Sequence, residues 1–432
     1  MRLRSILLLL ALPLIAAPAL STEGGLAPVA AALAKVKATH AVNELHDAGP
    51  ELTPVKHALR NWVERQLPAD PKATDPRGFV YTLTTEDLTA LSQRLTRALD
   101  AAGLTCGADG SPTNRCAGSA TTDEDMRGYI DGVTISTLDN GRYLLVVTGV
   151  GIRCGYDQSA YIYKHGPDRG WTLLLATERN QYGKDEYAPQ YFLSIAASPA
   201  NVAWNEPAPP PLVATLGATP WCSSNWNMLQ TRLWRASDTN PTPAPLIKND
   251  DELYRGDYLV AAARLTQTDL LIEYRGGSVD SGRLIRPHVA HYLIQPGDRL
   301  ERIAPVALSP NDFVEEWMTS KWPEDARWSD PTAKPAALAA LHVTPGSAHI
   351  FGDFDGQAKR CRADPTLWQA SFSPTADEAK TVLPPVYYKV RWMAPYRFAM
   401  VDGGPKPFPG CDEEVAMPDD VGTLFPLQDW KP

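Results

Sequence analysis

Near residue 128 the spacing of apolar residues switches from about 3.6, the repeat of a helix, to about 2, the repeat of a strand. No single regular element accommodates both spacings, so the switch divides the chain into a helical part and a sheet-forming part. Upstream, residues 26–47 are alanine-rich, with Val29, Leu33 and Val36 on one face. A second helix is predicted after Gly49-Pro50, with Thr53 as N-cap and Pro54 in the first helical position. Val55, Leu59, Trp62 and Val63 form its apolar stripe. A third helix is predicted from about Thr85 to Ala102, capped by Thr84, with Leu88, Leu91, Leu95 and Leu99 inward and Gly103 after its end. These helices show no catalytic motif, and His40, His46 and His57 read as solvated positions.

Downstream, Val133, Ile135 and Thr137 alternate with polar residues, and Asp139-Asn140-Gly141 marks a tight hairpin turn. Strands over Tyr143–Thr148, Tyr161–Tyr163 and Trp171–Ala176 complete a four-stranded antiparallel meander within residues 130–178. The unit recurs as Tyr191–Ala196, Leu212–Leu216, Met228–Arg235 and Ala244–Lys248. It recurs again as Tyr258–Leu265, Leu270–Tyr274, Val289–Ile294 and Leu300–Val306. In each copy the second strand runs into a glycine (Gly149, Gly217, Gly276). A four-stranded repeat of about 60 to 70 residues predicts a propeller-like arrangement, with a stacked β-sandwich as the alternative. Residues 306–345 interrupt the pattern. Ser309 and Pro310 start a helix carrying Phe313, Trp317 and Met318, and Lys334–Leu341 reads as a second short one. Strands resume at Ala348–Phe351, Trp368–Phe372, Val386–Trp392 and Arg397–Val401, and the Pro-Gly-rich tail from Gly403 reads as loop. The fold class is therefore mainly β, α+β overall. A helical region spans 20–127, repeated β units 128–306, a helical insertion 307–345, and a C-terminal β unit and tail 346–432.

The first residues are an address. Arg2 and Arg4 precede an apolar run from Ile6 to Ile15, and Ala17-Pro18-Ala19 has the small-residue pattern of a cleavage site. Residues 1–19 thus read as a signal peptide, which predicts a periplasmic or secreted protein with no transmembrane segment after cleavage. The run is shorter than the roughly 20 residues a membrane span needs. A formal charge of −9 argues against a nucleic-acid surface. Six cysteines in an exported chain predict disulfides, and the pairs expected are Cys106–Cys116, Cys154–Cys222 and Cys361–Cys411. The first of these staples a turn-rich loop without a core of its own.

Several motifs fail on context. Gly149-Val150-Gly151-Ile152-Arg153-Cys154-Gly155 is followed by a strand, not by the helix that a dinucleotide site requires. Gly276-Gly277-Ser278 lacks the glycine and helix of a nucleophile elbow. Asp353-Phe354-Asp355-Gly356 lacks the later ligands of a calcium loop and reads as a turn. His288 and His291 are three apart on a strand and so face opposite sides. Asp250-Asp251-Glu252 reads as a solvated acidic loop. No cofactor and no metal site is predicted.

What remains is positional. If the copies are equivalent, their second-to-third strand connections, Ile152–Ser159, Pro220–Asn227 and Ser278–Pro287, emerge on one rim. Those loops supply Arg153, Asp157, Gln158, Trp221, Asn225, Trp226, Asp280, Arg283 and His288, a mixture of charge, amide and aromatic surface suited to a ligand. The function expected is that of an exported, non-catalytic binding or interaction protein of the cell envelope, with an unknown envelope ligand or protein as partner. The alternative is a hydrolase of an envelope polymer such as a glycan, with Asp157 and Asp280 as its acid/base pair.

Overall fold

A computed structural model provides the structure of the protein. It describes residues 23–38, 49–68, 84–105, 128–139, 141–152, 155–166, 170–178, 191–199, 210–219, 226–254, 261–320, 325–334, 338, 341, 351–376, 381–382, 384–394 and 396–415. The proposed signal peptide lies outside them, as do Cys106, Cys116, Arg153, Cys154, Trp221, Cys222 and Asn225, and with them the bridges expected at Cys106–Cys116 and Cys154–Cys222.

Three helices come first: α1 (Glu23–Ala38), α2 (Gly49–Glu64) and α3 (Thr85–Ala101). The α3 start is a capping box, in which Asp87 N donates to Thr84 Oγ1 and Thr84 N donates to Asp87 Oδ2. The α2 start differs from expectation: the helix begins at Gly49, and Pro54 lies inside it. A proline five residues in removes only the bond to the Pro50 carbonyl, so the first turn tolerates it.

Three four-stranded antiparallel sheets follow, each a simple meander. Sheet 1 is β1 (Ile130–Leu138), β2 (Tyr143–Ile152), β3 (Gly155–Gly166) and β4 (Gly170–Ala176). Sheet 2 is β5 (Tyr191–Ala197), β6 (Leu212–Ala218), β7 (Trp226–Arg235) and β8 (Ile247–Tyr254). Sheet 3 is β9 (Ala261–Leu265), β10 (Asp269–Gly277), β11 (Ile285–Gln295) and β12 (Arg299–Ile303). After α4 (Pro310–Thr319) comes an irregular sheet of seven strands. These are β13 (Phe351–Phe354), β14 (Lys359–Cys361), β15 (Leu367–Ala376), β16 (Thr381–Val382), β17 (Val386–Ala394), β18 (Arg397–Gly404) and β19 (Cys411–Glu413). The described residues are thus mostly β, in four open antiparallel sheets with four helices, and none of these sheets closes on itself.

Two segments read as loop are strand. Asp250-Asp251-Glu252 belongs to β8, which runs to Tyr254 rather than ending at Lys248. An edge strand tolerates charge because one of its sides has no strand beside it. The tail past Gly403 returns as β19, where Cys411 pairs with Cys361 across the ladder and the two form a disulfide. A covalent partner thus replaces the apolar pattern that would have announced the strand.

Sheets 1 to 3 are each covered on both faces. One face of sheet 1 (Val133, Ile135, Leu144, Val146, Tyr161) meets Leu33, Leu59, Trp62 and Leu95 of the helices. Its other face (Tyr143, Leu145, Ile162, Leu175) meets Val213, Phe192 and Trp234 of sheet 2. The opposite face of sheet 2 (Leu212, Leu216, Leu229, Leu233) meets Leu270, Ile272 and Ile294 of sheet 3. Beyond sheet 3, Leu271 and Val289 pack with Val306 and with Tyr396 of the last sheet. Burial on both faces explains why β6 reads Leu-Val-Ala-Thr-Leu-Gly-Ala, buried at every position, instead of alternating. Helix α4 lays Phe313, Trp317 and Met318 on Trp368, Phe372, Tyr388 and Phe398 of the last sheet.

Candidate functional site

The sheets share an end. Gln158, near the β2–β3 connection, accepts a 2.8 Å bond from Phe192 N, and Phe192 pairs with Gly217 near the β6 terminus. Asp251, near the end of β8, bears electrostatically on Tyr274, near the end of β10. The described ends of β2, β6 and β10, which lead into the second-to-third strand connections, therefore lie on one side. These connections are shorter than the sequence suggested, because strands extend into them: 153–154 between β2 and β3, 219–225 between β6 and β7, and 278–284 between β10 and β11.

That extension moves two predicted rim residues into sheet 1. Asp157 is a β3 residue, 1% exposed, with Oδ2 2.6 Å from Lys56 Nζ of α2, itself 1% exposed. Gln158 hydrogen-bonds Asp131, whose carboxyl is pushed up by burial, and reaches sheet 2 as described. Trp226 opens β7, partly exposed, its ring 5.2 Å from that of Tyr254 at an interplanar angle of 64°. Asp280 and Arg283, in the β10–β11 connection, and His288 of β11 lie where sheet 3 meets α4 and β13. The structure therefore does not bring Asp157 and Asp280 together. The first is locked against α2. The second caps the 3-10 turn Ser281–Arg283 through Gly282 N and bridges to Gly352 of β13.

The sheet 3–α4 junction is the richest polar assembly among the described residues. Ser309 caps α4 by accepting from Asp312 N, and this start directs Asp312, Glu315 and Glu316 toward β11. Arg283 Nη1 donates to Asp312 Oδ1 at 2.7 Å. Arg286, 2% exposed, lies 2.9 Å from Glu315 Oε2 and 3.0 Å from Glu316 Oε1. Glu315 also accepts from Val279 N and Ser278 Oγ, which fastens the β10–β11 connection to the helix. His288 Nδ1 is 2.6 Å from Glu316 Oε1 and its Nε2 is 3.0 Å from the Gly277 carbonyl, with the ring stacked on Tyr274. Arg302 approaches Glu316 Oε2 and lies over the Trp328 ring.

Burial opposes charge on Glu316, yet Arg286, His288 and Arg302 hold its carboxyl well below the ordinary range. Burial likewise works against Arg286, and Glu316, Glu315 and Asp312 raise it instead. Tyr274 is lifted well above its usual value, by burial first and then by Asp251 and Glu316. Every strong charge here has an opposite charge as neighbour, so the cluster holds elements together. Among the described residues no group of His, Cys, Asp and Glu is arranged to hold a metal ion.

A second cluster joins α2 to sheet 1. Beside Lys56–Asp157, Arg60 Nη1 donates to Glu178 Oε1 at 2.5 Å, and His57 Nε2 lies 2.8 Å from the same oxygen. His57 thus lies beside a carboxylate while staying half exposed to solvent. Sequence reasoning missed Lys56, Arg60, Glu178, Arg286, Arg302, Glu315 and Glu316. One signal was present: Lys56 beside Val55 and Glu315-Glu316 between Phe313 and Trp317 put charge where a helix turns inward.

A scan against models of protein families found no match to this chain. A search of curated proteins also found none.

Proposed function

We propose that this is an exported, non-catalytic binding or interaction protein of the cell envelope, and that its ligand seats on the shared rim of the sheets. The observation carrying this reading is where exposed apolar side chains fall. Five large ones are exposed among the described residues, and four of them, Tyr191, Trp226, Leu284 and Phe351, stand at that end. Tyr191 pairs with Ala218 at the β6 terminus, Trp226 opens β7, Leu284 ends the β10–β11 connection, and Phe351 precedes the Gly352 bridge to Asp280. Grouped apolar exposure on a soluble face is a mark of an interaction site. The Trp226–Tyr254 pair adds a rigid aromatic corner of low conformational entropy.

Export is supported by the N-terminal sequence pattern and by the Cys361–Cys411 bridge, which suits an oxidising compartment. No helix among the described residues is long and apolar enough to cross a membrane. The succession of meanders packed face to face fits a propeller-like arrangement, with the rim as its ligand face. Glycan arrays and pull-downs from envelope fractions, comparing wild type with Trp226→Ala and Leu284→Ser, test the reading. Both variants are expected to lose at least about tenfold in affinity, or 1.4 kcal/mol. Met393→Ser, at the exposed β17–β18 turn, is expected to bind as wild type. Undiminished binding by both rim variants places the site elsewhere.

A further inference from the structure

The rim connection between β10 and β11 is tied to β13 through Gly352 N and the Val279 carbonyl, and it packs Val279 against the core beside α4. It is also held by α4, through Glu315 to Val279 N and Ser278 Oγ and through Asp312 to Arg283. Helix α4 in turn is held to sheet 3 by Arg286, Arg302 and His288. His288 differs from the two arginines in one respect: its charge depends on pH. Both of its ring nitrogens face acceptors, a carboxylate oxygen at 2.6 Å and a backbone carbonyl at 3.0 Å. A neutral imidazole has one N–H, so only the doubly protonated ring satisfies both.

We infer that His288 is a proton-operated catch, whose imidazolium clamps α4 to sheet 3 and so holds the 278–284 connection in its rim position. Loss of the proton sets a nitrogen lone pair against either the Glu316 carboxylate or the Gly277 carbonyl, and the contact turns from attractive to repulsive whichever tautomer remains. The groups around the ring fix the direction of response. Tyr274 of β10 stacks on it at 4.9 Å. Glu315, Glu316 and Asp312 of α4 favour the cation, as does Asp251 of β8, which acts on Tyr274 and Arg302. Arg286 of β11, Arg302 of β12 and Arg283 oppose it. With the ring charged, four cations face four carboxylates. With the ring neutral, the carboxylates outnumber the cations by one, and Glu316 keeps only Arg286 and Arg302 beside it. Glu316 stays ionised under ordinary conditions because its carboxyl is held well below the usual range, so the imidazole is the member that changes state.

The catch is therefore closed while the ring carries both protons and opens when one is lost. The consequence for ligand binding rests on the rim reading, while the catch itself rests on the contacts alone. Hydrogen exchange of the 278–284 amides in the full-length, ligand-free protein tests it, after correction for the intrinsic pH dependence of exchange. Wild type is expected to exchange these amides at least about tenfold faster at the alkaline end, with a midpoint that coincides with the His288 ring titration followed by NMR. In His288→Gln the ratio is expected to fall to about one. A step that persists in the variant, no step in wild type, or midpoints that disagree overturns the inference. The midpoint comparison needs only wild type, so it stands even if the variant fails to fold. Because no ligand is used, failure here leaves the rim assignment standing, and unchanged binding by Trp226→Ala leaves the catch standing.

Discussion

Lys56 and Asp157 meet at 2.6 Å with almost no exposure on either side. Removing one partner leaves a lone charge in the core, whereas replacing both removes the desolvation problem. Lys56→Met is therefore expected to destabilise by about 3–5 kcal/mol, and Lys56→Met with Asp157→Leu to recover most of it. Urea unfolding midpoints report both, and a single variant within about 1 kcal/mol of wild type removes the pair from the core. Asp330 offers a test with pH. Two hydrogen bonds from Thr332 and a third from Arg391 Nε lower its carboxyl to about 2. Since the folded value lies below the unfolded one, its contribution is complete above the ordinary carboxylate range and is lost as pH falls through about 2. Acid unfolding of Asp330→Asn is expected to lack the part of the stability decline that wild type shows between about pH 4 and 2. Such residues were scarcely legible beforehand. A charge in the sequence does not say whether it faces water or a partner distant in sequence, and Asp157 and Lys56 lie 101 positions apart only to meet across a helix–sheet interface.

At the scale of elements, local capping chemistry gave two helix starts correctly and misplaced a third, since Thr53-Pro54 lies inside α2. Ser309-Pro310 starts α4 and Thr84 starts α3, as their side chains dictate. Ser309→Ala is expected to cost about 1 kcal/mol, since it removes the acceptor for Asp312 N, and thermal unfolding measures it. Strands β2 and β6 were readable over Tyr143–Thr148 and Leu212–Leu216, where burial on both faces leaves an apolar run, but they continue through Gly149 and Gly217, which were expected to end them. Connection lengths were not readable. Polar residues such as Asp157 and Gln158 were taken as loop, yet they continue β3 because α2 and sheet 2 supply their partners. The acidic run in β8 misled for the same reason: a strand can be charged when pairing, rather than burial, holds it.

For the whole molecule, the order of layers follows the order of the chain: helices, sheet 1, sheet 2, sheet 3, then the last sheet with α4. The mainly β class and the three meanders were legible from period and turns. The use of α4 as the tie between sheet 3 and the last sheet was not, because its acids and its aromatics serve different neighbours. The last sheet carries a covalent tie across 50 positions. Replacing Cys361 and Cys411 by serine is expected to destabilise by up to about 4 kcal/mol on the chain-entropy account, read as a lower Tm that reductant no longer changes. An unchanged Tm places the work of holding β14 against β19 on their hydrogen bonds alone.

The covering of each sheet by its successor has a bearing on biosynthesis. A chain synthesised N-terminus first completes sheet 1 while its second face still awaits sheet 2, and sheet 2 in turn awaits sheet 3. At every stage the newest sheet shows an apolar surface, such as Leu145 of sheet 1 or Leu229 of sheet 2, to its surroundings until the next meander arrives. Pairing within each meander is local and quick, but covering is deferred. The nascent protein is therefore most open to aggregation, and most in need of a holding chaperone, at the pauses between one sheet and the next.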